Sequence, residues 1–76
     1  MKKAEKNLMN GYINHSYKRW LETKSQRDRN VHDCFMLVAI TVMGYDEDKV
    51  NEARFGKLGV LDSTQERLFN LLISNK

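Results

Sequence analysis

Cys34-Phe35-Met36-Leu37-Val38-Ala39-Ile40-Thr41-Val42-Met43 is the most apolar stretch of the chain, and its secondary structure decides the fold. Periodicity alone does not separate a buried strand from a buried helix here, because apolar residues occupy every face. The β-branched Val38, Ile40, Thr41 and Val42 favour a strand. No second strand-like run exists for it to pair with, however, and a lone strand leaves its backbone unsatisfied. The run is therefore predicted to be a helix, capped by Asn30 or Asp33 and stopped by Gly44. It is expected to be the central element that the others cover, with Cys34 a buried, reduced thiol.

Working outward, three further helices are expected. Met9, Ile13, Tyr17, Trp20 and Leu21 recur at helical spacing, widened by Leu8 and Tyr12, and predict a helix from about Lys3 to Lys24. Gly11 costs that helix about 1 kcal/mol relative to alanine, so its first turns are expected to fray. A polar break is predicted at Ser25 to Asn30. After Gly44, Asp46-Glu47-Asp48 places acids at a helix N-terminus, where the partial charge is positive. That short helix carries Val50, Ala53 and Phe55 and stops at Gly56 and Gly59. The last helix starts at Asp62 or Ser63, with Ser63-Thr64-Gln65-Glu66 as a capping box. Its Leu68, Phe69, Leu71, Leu72 and Ile73 are expected to be largely buried. The predicted fold is all-α, a compact bundle of about four helices in a single binding domain spanning residues 1–76.

Size and composition bound the rest. At 76 residues the chain lies near the lower edge of what folds unaided, and its single cysteine excludes an intramolecular disulfide. The polar run through Asn7, Asn10 and Asn14 interrupts what a secretory signal would need, and the longest apolar run is about half of a membrane span. A cytoplasmic protein of modest stability, with no membrane association, is expected.

The residues that could carry catalysis do not assemble into a site. His32, Cys34 and His15 are three soft ligands without the paired spacing of a structural zinc site, so no metal is expected. His32-Asp33 resembles the metal-phosphohydrolase dipeptide, but the additional His and Asp residues such a site needs are absent. Counted as a calcium loop from Asp46, the sixth position is Asn51 and the twelfth Lys57, where Gly and Glu are required. Gly56-Lys57-Leu58-Gly59 is too short for a nucleotide fingerprint, and no serine lies in a nucleophile elbow. No enzymatic activity, cofactor or small-molecule substrate is expected.

Charge placement gives a positive indication. Residues 1–29 hold eight Lys/Arg against three acids, whereas residues 30–76 hold five against seven, so the net +3 divides into +5 and −2. Aromatic and basic side chains interleave between Tyr12 and Arg29, a composition suited to phosphate neutralisation and base stacking. Lys18, Arg19, Lys24, Arg27 and Arg29 are the candidate nucleic-acid contacts, extended by Arg54 and Lys57. Tyr17 and Trp20 share the helical stripe of Ile13 and are expected to pack in the core.

Leu58-Gly59-Val60, followed by a short turn, Glu66-Arg67 and Leu71-Leu72, resembles the turn and last helix of the HRDC module of RecQ-type helicases. The matching positions cover about fifteen residues of the chain. The resemblance implies a small helical bundle that binds single-stranded or branched DNA and assists a helicase or recombination system in a bacterial or phage-infected cell. None of that family's binding residues maps onto this chain, so the basic residues named above rest on charge placement. The alternative is a protein-interaction module, a phage-type accessory or host-directed inhibitor that docks on a larger protein. The exposure of Trp20, Phe55 and Phe69 discriminates between them: a ring on a solvent-facing apolar patch favours docking.

Overall fold

A long amino-terminal helix is the axis of the molecule. The computed structural model describes the backbone of residues 3–74 and the side chains of residues 6–74, so Met1 and Lys2 of the amino-terminal reading lie outside it. Four helices follow in order: α1 (Lys3–Thr23), α2 (Gln26–Thr41), α3 (Glu47–Arg54) and α4 (Ser63–Ser74). Among the described residues no strand is formed. The radius of gyration, 11.6 Å, is close to the roughly 11 Å expected of a globular chain this long.

Each junction is set by local chemistry. Lys24 adopts a left-handed conformation (φ 56°) and donates its N–H to the Trp20 carbonyl at 2.8 Å, which ends α1. Ser25 immediately caps α2, its hydroxyl accepting the Asp28 N–H at 3.0 Å. The expected polar break over Ser25 to Asn30 is therefore the first turn of α2, and the helix starts before the predicted Asn30 or Asp33. A serine cap with an acid in the first turn outweighs the polar composition of that segment.

At the far end of α2, Gly44 (φ 74°) reverses the chain, and the Tyr45 N–H returns to the Ala39 carbonyl at 2.9 Å. Asp46 caps α3 by accepting the Lys49 N–H at 2.8 Å. The capping box of α4 is shifted one residue from its predicted place. Asp62 accepts the Gln65 N–H at 2.8 Å, and the Gln65 side chain accepts the Asp62 N–H at 3.0 Å.

The core consists of Ile13, Ala39, Tyr45, Val50 and Ala53, with Met9, Phe35, Met36, Met43 and Leu58 packed around them. It places α1, not α2, at the centre, because α1 packs on α2 and on α3 more extensively than those two pack on each other. The inner face of α1 is partly polar. Asn10, Asn14 and Ser16 are buried and bonded across the helix interfaces, Asn10 to the Tyr45 hydroxyl and Asn14 to the Arg54 carbonyl at 2.8 Å.

Gly11 is buried against the segment that leads into α4. A Cβ there would lie 2.4 Å from Leu61 Cδ2 and 3.4 Å from the Leu61 backbone nitrogen. An alanine at this position would force the buried Leu61 side chain to shift.

The apolar run that decides the fold is helical as predicted but only partly covered. Ala39 is fully buried, whereas Leu37, Val38, Ile40 and Val42 are exposed, and so is Cys34. The prediction of a buried Cys34 and an all-round buried α2 is thereby corrected: three neighbouring helices do not encircle it. The predicted burial of α4 is corrected as well. Phe69 is buried while Leu68, Leu71 and Leu72 are exposed. Phe69 stands 5.6 Å from Tyr12, 4.8 Å from His15 and 5.6 Å from Phe35 between ring centroids, and it is the principal anchor of α4.

Candidate functional site

The charge pattern makes the basic residues the first candidates, and several of them hold the fold together. Arg19 donates to Asn70 Oδ1 at 2.9 Å, and its Nε lies 3.5 Å from Asp28 Oδ1. Arg27 donates to the Ile73 carbonyl, near the end of α4. Arg54 donates from Nε to His32 Nε2 at 3.1 Å and from a terminal nitrogen to Asn51 at 2.8 Å, with another directed at the Met36 sulfur. Arg29 lies over the Trp20 ring, 5.4 Å from its centroid, and 3.8 Å from Asp33. Lys18, Lys24 and Lys57 are exposed, and among the described residues they form no ion pair.

The seven predicted residues therefore fall into separate groups. Arg19 and Arg27 line an open groove of about 770 Å³ between the α1–α2 junction and α4, together with Arg67, which the charge reading did not select. Asp28 lies in the same groove, its carboxyl held below its ordinary range by the Thr23 hydroxyl and then by the Arg19 charge. Arg29 and Arg54 belong instead to an aromatic group: Tyr17 lies 6.0 Å from both Trp20 and Phe55, and the Arg54 guanidinium is 5.7 Å from the Tyr17 ring.

At the centre of that aromatic group, His32 is wholly buried. Because Arg54 Nε can only donate, His32 Nε2 must accept, which puts the ring proton on Nδ1, 3.0 Å from Ser16 Oγ. The Ser16 hydroxyl donates in turn to the Ile13 carbonyl at 3.1 Å. Burial and then the Arg54 charge push the His32 pKa down to about 4, so the ring is neutral at pH 7. This Ser–His contact is structural: the hydroxyl is buried, its proton is committed, and the imidazole nitrogen beside it already carries one. Among the described residues no group of three or more His, Cys, Asp or Glu side chains is placed to hold a metal ion.

The discriminating rings divide. Phe69 is buried and Trp20 half-buried, whereas Phe55 is 64% exposed, as is Val60 beyond it on the same turn. Sequence reading missed a second open groove, of about 690 Å³, between α2 and α4. Its walls are Val31, Cys34 and Phe35 on one side and Leu72 and Ile73 on the other, with Arg27 at one end. The available signal was the surplus of apolar residues in α2 and α4 over what neighbouring helices could cover. Val60, Leu71 and Leu72, three positions that carry the HRDC resemblance, lie exposed and are not packing positions here.

Among the described residues no helix is long and apolar enough to cross a membrane. No protein-family model, curated protein or solved structure matches the chain.

Proposed function

We propose that this chain is a non-catalytic helical module that docks on a larger protein through apolar surface. One observation carries the reading: ten large hydrophobic side chains are exposed among the described residues, against seven hydrophobic residues that are buried. Isolated exposed hydrophobics are ordinary, but grouped ones mark interaction surfaces. Here they group on α2, on α4 and at Phe55 and Val60. Their burial against a partner would add apolar contact that a chain this small does not supply from its own core.

The test is recovery of a partner from the protein's own cells by the tagged chain, with nuclease present and at high salt, followed by reconstitution from purified components. A stoichiometric partner that survives both treatments, and that is lost when Leu68, Leu71 and Leu72 are changed together to serine, is expected. Association that disappears with nuclease or salt would overturn the reading.

That outcome would favour nucleic-acid binding, for which the exposed Lys18, Lys24 and Lys57, without an ion pair among the described residues, are the specific support. Under it the chain assists a helicase or recombination system on single-stranded or branched DNA, as the HRDC resemblance implies. Contacts would come chiefly from Lys18, Lys24, Lys57 and Arg29, because Arg19, Arg27 and Arg54 are engaged within the fold. Changing those three lysines to alanine would then lower oligonucleotide affinity and flatten its salt dependence.

A further inference from the structure

The two open grooves adjoin, because Arg27 and Ile73 line both. One is apolar, with Val31, Cys34, Phe35, Leu72 and Ile73 in its walls. The other carries Arg19, Arg27 and Arg67 against Asp28 and Glu66. Asp28 is neutralised within the fold by Arg19 and Thr23, so Arg27 and Arg67 outnumber Glu66 where a partner would approach. Along α2 the apolar lane continues at the spacing of one helix face through Val31, Cys34, Val38 and Val42, a run of about 16 Å at 1.5 Å per residue.

We infer that this composite surface receives an amphipathic helix with an acidic flank, an inference that rests on the protein-docking reading above. The shape suits a helix because the groove follows α2 from Gln26 to Phe35, about 14 Å at 1.5 Å per residue, with the end of α4 as its other wall and the exposed Val38 continuing the same face, so a partner helix meets it with anchors at i, i+4 and i+7. Apolar anchors enter between α2 and α4, while Glu or Asp side chains meet Arg27 and Arg67 at the adjoining end. Charge decides against a second copy of this chain as the occupant. A second copy of this chain carries the same net +3 and so brings no excess of acids to Arg27 and Arg67.

Cys34 provides the readout, being the sole cysteine, exposed, and in the groove wall. The probes are two fluorescent 18-residue helical peptides with leucine at i, i+4, i+7 and i+11, one with glutamate and one with lysine at the flanking positions. The glutamate peptide is expected to bind saturably and to slow maleimide alkylation of Cys34. Its affinity should fall in Arg67→Ala and further in Arg67→Glu, and at least about tenfold in Leu72→Ser, exposed residues whose side chains hold no hydrogen bond within the fold, so the helical circular dichroism should not change. Equal binding of the two peptides, or undiminished alkylation at saturation, would overturn the inference. So would sedimentation showing a dimer of the unliganded protein in which Cys34 is protected. If the reconstituted natural partner depends on the α4 leucines but neither protects Cys34 nor responds to the arginine changes, the groove assignment falls and the docking reading stands. If no partner is recovered and neither peptide binds, both fall.

Discussion

Lowering the pH should destabilise the protein through His32, and the size of the effect follows from its surroundings. The ring is wholly buried, accepts a hydrogen bond from Arg54 and directs its own proton toward Ser16, so the native state holds it neutral with a pKa of about 4. The unfolded chain returns it to 6.5. Above 6.5 both states are neutral and His32 contributes no pH dependence. As the pH falls below 6.5 the unfolded state takes up a proton that the native state refuses, and stability is lost until the folded group titrates near 4. Linkage gives a loss of about 2 kcal/mol at pH 5 and about 3 kcal/mol at pH 4 relative to pH 7. That is a large share of the roughly 4–11 kcal/mol expected for a chain of this length.

Asp28 acts in a different window. Its folded pKa is lowered, so its stabilising contribution is present above the unfolded value of 3.8 and fades only as the pH falls below it. Urea titrations at pH 7, 6, 5 and 4.5, followed by far-ultraviolet circular dichroism, measure the His32 effect before Asp28 enters. The control is His32→Gln, whose amide can accept from Arg54 and donate toward Ser16 without titrating. Its stability at pH 7 will be lower, but its slope between pH 6.5 and 4.5 should largely vanish. An equal slope in the variant, or a wild-type stability that stays level over that interval, would show that the ring is not held neutral.

Three further outcomes test the packing and the caps. Gly11→Ala should destabilise by about 1 kcal/mol in thermal or urea unfolding, because overpacking costs of 1–3 kcal/mol exceed the roughly 1 kcal/mol gained in helix propensity. A gain in stability would show that Leu61 yields without cost. Phe69→Ala should cost about 3 kcal/mol and expose α4 amides to hydrogen exchange well before those of α1, since Phe69 is the principal anchor of that helix; uniform loss of protection would contradict this. Asp62→Ala removes one partner of the α4 capping box and should cost about 1 kcal/mol, whereas Ser63→Ala should leave stability nearly unchanged.

Much of the fold was legible because its signals are local. Gly44, Asp46 and the Asp62–Gln65 pair each act over a few residues of backbone, so the end of α2 could be placed to within three residues and the starts of α3 and α4 to within one. The start of α2 was misplaced because Ser25 caps a first turn whose composition is that of a loop. The candidate site was less legible. Charge placement singled out seven basic residues, but an arginine bonded to a helix-end carbonyl and a lysine in solvent look alike in a sequence. Arg27 and Lys24 differ only in what the fold brings to them.

Helix content follows from periodicity and capping, and the excess of positive charge in the first 29 residues follows from composition; neither depends on which faces meet. Tertiary structure decided which helix became central, why residue 11 is glycine, and which apolar side chains were left outside. Those outcomes depend on contacts between residues distant in the chain. Leu61 approaches Gly11, Phe69 wedges among Tyr12, His15 and Phe35, and Arg54 reaches His32. An apolar run such as residues 34–43 states how much surface seeks cover, and only the number and placement of neighbouring helices determine how much of it receives any.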